Sequence, residues 1–116
     1  PADFDVQNYL AFAFRLMRGP GPLHKVRMRF LPEAARYIRE KSWHPTQTIQ
    51  EEPDGSLVLA LEVSHLLEVK RWTMSFGAQC QVLGPDELRQ LIKEECRKMV
   101  ANHDLNKNSW RARFSR

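Results

Sequence analysis

Lys25, Arg27 and Arg29 alternate with Val26, Met28 and Phe30. Strict alternation of charged and apolar residues marks a half-buried strand, so the three cations share one face. Cations grouped in this way can hold an anion, such as a carboxylate or a nucleic-acid backbone. A later alternating run, Leu57–Val63, sets Val58, Ala60 and Glu62 on the same kind of open face. The basic stripe then has three readings: cross-strand ion pairing with Glu62, contact with an anionic ligand or nucleic acid, or cover by a partner domain. Neither strand offers this face an aromatic ring, so it lacks the stacking platform of an RNA-recognition sheet. Arg71, farther along, joins Lys25, Arg27 and Arg29 as a candidate ligand or nucleic-acid contact.

Other chemistries find less support. Glu51 and Glu52 are neighbours in an extended segment and point to opposite faces, so they cannot share a substrate. Glu94 and Glu95 read as surface charge on a helix. None of His24, His44, His65 and His103 pairs with another at metal-ligand spacing, and no metal or cofactor is expected. Gly19-Pro20-Gly21-Pro22 lacks the lysine of a phosphate loop, and no G-x-S-x-G motif occurs. An acylphosphatase-type enzyme needs an arginine-bearing loop after the first strand, where this chain has Leu31-Pro32-Glu33. Catalysis is therefore not expected. Cys80 and Cys96 form no C-x-x-C and fall in apolar patterns. They read as buried structural thiols, which fits a reducing cytoplasm.

Eight elements must position these residues. Asp5 to Met17 reads as a helix capped by Asp5, apolar on every side through Tyr9, Leu10, Phe12 and Phe14. Such a helix needs cover on more than one side, and these four residues form the candidate self-association surface. After the Gly/Pro break come a strand at His24–Leu31 and a helix opened by Pro32-Glu33 and closed by Trp43-His44-Pro45. Trp43 and Trp72 read as core rings. A weak strand at Thr46–Glu52 turns at Pro53-Asp54-Gly55-Ser56 into Leu57–Val63. Ser64 then caps a helix to Phe76, with Leu67, Val69, Trp72 and Phe76 inward and Gly77 as its stop. A short strand at Gln79–Leu83 leads into a long helix from Asp86, with Leu88, Ile92, Cys96 and Met99 inward, helped by Leu91 and Val100. A βαββαβ order with flanking helices predicts a ferredoxin-like α+β domain: first and third strands central, helices on one face.

At 116 residues, 42% hydrophobic and 28% charged, the composition is that of one soluble domain with one modest core. No apolar run approaches the roughly 20 residues of a membrane span, and the N-terminus lacks the pattern of a signal peptide. The chain opens on Pro1 rather than Met, which reads as a piece of a longer protein. The net charge is +4, of which residues 104–116 carry +3, leaving +1 on residues 1–103. A duplex-DNA binder usually carries its charge on the folded body. The tail reads as basic and flexible. Trp110 within it has no core of its own to join and reads as a ring that packs on a neighbouring chain.

Several strings occur together in order: Phe4-Asp5-Val6, Val26-Arg27-Met28-Arg29-Phe30, Pro32-Glu33-Ala34-Ala35-Arg36-Tyr37-Ile38, Trp43-His44-Pro45-Thr46-Gln47, Glu68-Val69-Lys70-Arg71-Trp72, Ser75-Phe76-Gly77 and Val82-Leu83-Gly84-Pro85-Asp86. From Phe4 to Ala101 the chain resembles the C-terminal part of bacterial WYL-domain transcriptional regulators. The stretch after Pro22 resembles their C-terminal extension, the WCX domain. The resemblance implies a cytoplasmic, dimeric regulator of transcription. Its partners would be a second copy, the WYL and helix-turn-helix domains of the intact protein, and DNA through an N-terminal domain missing here. In some members the sensed ligand is a nucleic acid. On this reading residues 1–22 leave the WYL domain, 23–103 form the WCX-like domain and 104–116 are the tail. The basic sheet face is the alternative site for an anionic small molecule or single-stranded nucleic acid.

Overall fold

Alternation makes His24–Phe30 a strand, β1: Val26, Met28 and Phe30 are wholly buried, while Lys25 and Arg27 face water. The structure is a computed structural model that describes residues 21–104. The elements that follow are α1 (Pro32–Arg39), β2 (Thr48–Glu51), β3 (Leu57–Val63), α2 (Leu66–Met74), a 3-10 turn at Gly77–Gln79, β4 (Cys80–Gly84) and α3 (Asp86–His103). The sheet is antiparallel, in the order β2-β3-β1-β4. β1 and β3 are therefore its central pair. They run in register from His24 opposite Val63 to Phe30 opposite Leu57, as the two alternating runs predict. The fold is α+β: a four-stranded antiparallel sheet with three helices among the described residues. The predicted N-terminal helix and the tail beyond Asp104 lie outside the described residues.

One core serves all three helices. Ala34, Ala35 and Ile38 of α1, Leu66 and Val69 of α2, and Leu88 of α3 join the inward residues of β1 and β3 in a single cluster. The helices thus cover the Val26 face, and the Lys25 face is the other side of the sheet. Phe30 packs edge-on against Trp72 and Phe76, with ring centroids 5.7 and 5.1 Å away. Trp43 closes the end of α1, as expected for it. It is buried, its Nε1–H donates to the Ile38 carbonyl at 3.0 Å, and it lies 5.1 Å from Trp72. Gln47 holds the chain here, its Oε1 accepting from the backbone N–H of Trp43 and of His44.

The β2–β3 turn also follows its residues. Asp54 accepts from the Ser56 amide at 2.9 Å, and Gly55 takes φ +93°, in the left-handed region that favours glycine.

Two helical faces differ from expectation. α2 starts at Leu66, and His65 rather than Ser64 holds the N-cap position, without a side-chain cap bond. Leu66, Val69 and Thr73 face inward, and Leu67 is 55% exposed. Each residue turns a helix by about 100°, so adjacent leucines cannot both face inward. In α3 only Leu88 is fully buried. Leu91 and Ile92 are half-buried, Cys96 is exposed, and Met99 and Val100 are 46% and 69% exposed. The reason is length: 18 helical residues span about 27 Å. The five residues of β4 cover about 17 Å, so the last turns of α3 outrun the strand they pack on.

Phe30→Ala removes the ring shared by β1, Trp72 and Phe76. It is expected to cost about 3–5 kcal/mol of unfolding free energy, read from urea denaturation.

Candidate ligand-contact face

On the open side of the sheet the three cations of β1 have different surroundings. Arg29 lies opposite Val58 of β3 and Gln81 of β4. Its guanidinium meets Glu52 in a two-point bond, Nε to Oε1 at 2.8 Å and Nη2 to Oε2 at 3.1 Å, and Nη1 donates to Gln81 at 3.2 Å. The bonds it donates to Glu52, and then the charge of Glu52, raise the pKa of Arg29 further. Arg29 is thus a clamp: from β1 it ties the residue after β2 to the opposite edge strand. Val58 is buried beside it, which alternation alone does not predict for this face. Arg27 lies opposite Ala60 and Gly84, and Lys25 opposite Glu62. Both are exposed and make no ion pair with a described residue. The acidic partner foreseen in Glu62 is in fact Glu52. Sequence order hides this, because Glu52 lies just beyond the last residue of β2.

Arg71 does not join this face. It is an exposed residue of α2, on the helical side of the sheet, and pairs with Glu68 at 3.5 Å. Tyr9, Leu10, Phe12 and Phe14 lie outside the described residues. What remains is a polar surface with two free cations, Lys25 and Arg27, bordered by Thr48, Gln50, Glu62 and Gln81. Cations of this kind can pair with an anion. No group of three or more His, Cys, Asp or Glu among the described residues is placed to hold a metal.

The paired carboxylates separate as the strand pleat requires. Glu51 turns to the helical side and takes a two-point bond from Arg39 of α1, at 2.8 and 2.9 Å, while Glu52 turns to Arg29. Glu94 bonds Arg97 on the surface, as expected. Glu95 does more than expected: it accepts from Lys70 at 2.9 Å and so joins α3 to α2.

The two thiols also differ. Burial pushes the Cys80 thiol up to about 12. Cys96, expected to be buried, is exposed. Both line an apolar groove of roughly 420 Å³ between α2, β4 and α3, with Met74, Val82, Ile92 and Met99 among its walls. Sequence reading missed this groove, although the spacing of Ile92, Cys96 and Met99 on one helical stripe was its signal.

Two outcomes are expected. In the native protein a thiol reagent modifies Cys96 before Cys80, since a thiol at about 12 holds almost no thiolate near neutrality; mass spectrometry of the labelled peptides checks the order. Glu51, held below its usual 4.5 by the bonds from Arg39, adds stability above that value which is lost as pH falls through the lowered one. Glu51→Gln should therefore lower the urea midpoint at neutral pH and flatten its fall on acidification.

No curated protein matches the chain. The WCX domain family matches residues 22–100, well over half of the 116 residues. The matched stretch takes in all four strands and nearly all of α3. The chain belongs to the WCX domain family.

Proposed function

We propose that the chain is a regulatory and oligomerisation module of a bacterial WYL-type transcriptional regulator, working without catalysis. The family match at residues 22–100 carries this reading, because the WCX domain is associated with WYL-type regulators. Residues 1–22 then lead in from a WYL domain, residues 23–103 form the module, and 104–116 are a basic extension. The central position of β1 and β3 supports reading the fold as ferredoxin-like. Partners are a second copy, the WYL and helix-turn-helix domains of the intact protein, and DNA through the latter, in the cytoplasm. No helix of the described residues is long and apolar enough to cross a membrane.

Tyr9, Leu10, Phe12 and Phe14 supply the self-association surface in this reading. In a helix successive residues stand about 100° apart, so the four cannot all face one small domain. The chain is expected to be a dimer at micromolar concentration by light scattering. Burying one Phe is worth roughly 1.5–3 kcal/mol, so Phe12→Ser with Phe14→Ser should weaken the dimer several-fold or more. A monomer throughout, unaffected by the double change, removes the oligomerisation role.

A second reading rests on the unpaired Lys25 and Arg27: the open face holds an anionic small molecule or single-stranded nucleic acid. Short single-stranded oligonucleotides titrated into the intact regulator at two salt concentrations test it. Losing two phosphate contacts through Lys25→Ala/Arg27→Ala should reduce the salt slope by about 1.4. Unchanged affinity and slope would take the face out of ligand binding.

A further inference from the structure

We propose that the groove between α2, β4 and α3 is occupied by this chain's own C-terminal segment, with the Trp110 ring inserted. The groove is apolar and is walled by Met74, Cys80, Val82, Ile92, Cys96 and Met99. Four of its nine lining residues bear sulfur, and sulfur packs favourably against the edge of an aromatic ring. The lining therefore selects an aromatic guest over an aliphatic one.

Position names the guest. The groove wall formed by Cys96 and Met99 belongs to the last turns of α3, and the chain leaves that helix at Asp104. Met99 lies only about 7 Å back along the helix axis from Asp104. The six residues from Asp104 to Trp110 can span about 20 Å when extended, so the ring has ample reach. Phe114, four residues later, is a second aromatic on the same segment. Arg111 and Arg113 follow Trp110 and would come to lie near the C-terminal carbonyls of α3, the negative end of the helix dipole. The N-terminal apolar segment is less well placed. It enters at His24, the end of β1 away from Phe30, and Phe30 is the residue that pairs with Cys80. A second copy is also at a disadvantage, because a short tether gives the tail a millimolar effective concentration.

The test uses Cys96 as a reporter in the full chain. The rate of its modification by 5,5′-dithiobis(2-nitrobenzoate) is compared in wild type, Trp110→Ala and Trp110→Phe, with Cys96→Ser identifying its phase. An inserted ring shields the groove, so Trp110→Ala should speed Cys96 modification about fivefold or more, and Trp110→Phe should stay near wild type. Cys80 should remain slow in all three, which separates release of the tail from unfolding. The wild-type rate should not change between about 1 and about 100 µM protein, as a tethered guest requires. Equal rates in wild type and Trp110→Ala overturn the proposal. Joint acceleration of Cys80 and Cys96 overturns it in favour of general loosening, and a wild-type rate that falls with protein concentration overturns it in favour of a second copy.

Discussion

A slip of one residue between β1 and β3 would turn Val26, Met28 and Phe30 to water and press Lys25, Arg27 and Arg29 into the core. The rest of the fold depends on that pairing staying in register. Seven residues of β1 face seven of β3 without a break, and each inward pair adds apolar area to the floor on which α1, α2 and α3 rest. A cluster of rings then caps this floor, with Phe30 touching Trp72 and Phe76, and Trp72 touching Trp43. Register also decides chemistry, because the alternation that buries the apolar side chains sends every cation of β1 to the face without helices.

What the sequence disclosed, and what it withheld, follows from the range of each interaction. β1 and β3 were legible because alternation is local and each strand turns one apolar face to the helices. The start of α1 was legible because Pro32 sits where its missing N–H is harmless. The inner face of α2 was not, since Ser64, His65, Leu66 and Leu67 leave the helix start open by one residue, and that residue rotates the whole stripe. The exposure of Cys96, Met99 and Val100 was hidden for another reason: apolar spacing tells which side of α3 faces inward, not where the sheet beneath it ends. At the candidate face, the three cations were placed correctly on one side. Which of them is free depends on Glu52 and Gln81, contributed by residues 23 and 52 positions away from Arg29.

The open face and the groove divide the surface by chemistry. The open face is polar, with Arg29 committed to holding strands together and Lys25 and Arg27 free. The groove is apolar and rich in sulfur, and it forms where α3 runs beyond β4. The family to which the domain belongs is associated with regulators.

The outer strands carry a consequence for how copies of this domain can meet. β2 has four residues and β4 has five, against seven in each central strand. A short border with polar side chains such as Thr48, Gln50 and Gln81 is a poor template for another chain's backbone. Ribbon-like growth of the sheet from one molecule into the next is thereby discouraged. Association is steered to side-chain surfaces, where recognition depends on shape and composition rather than on the hydrogen-bonding pattern every polypeptide shares.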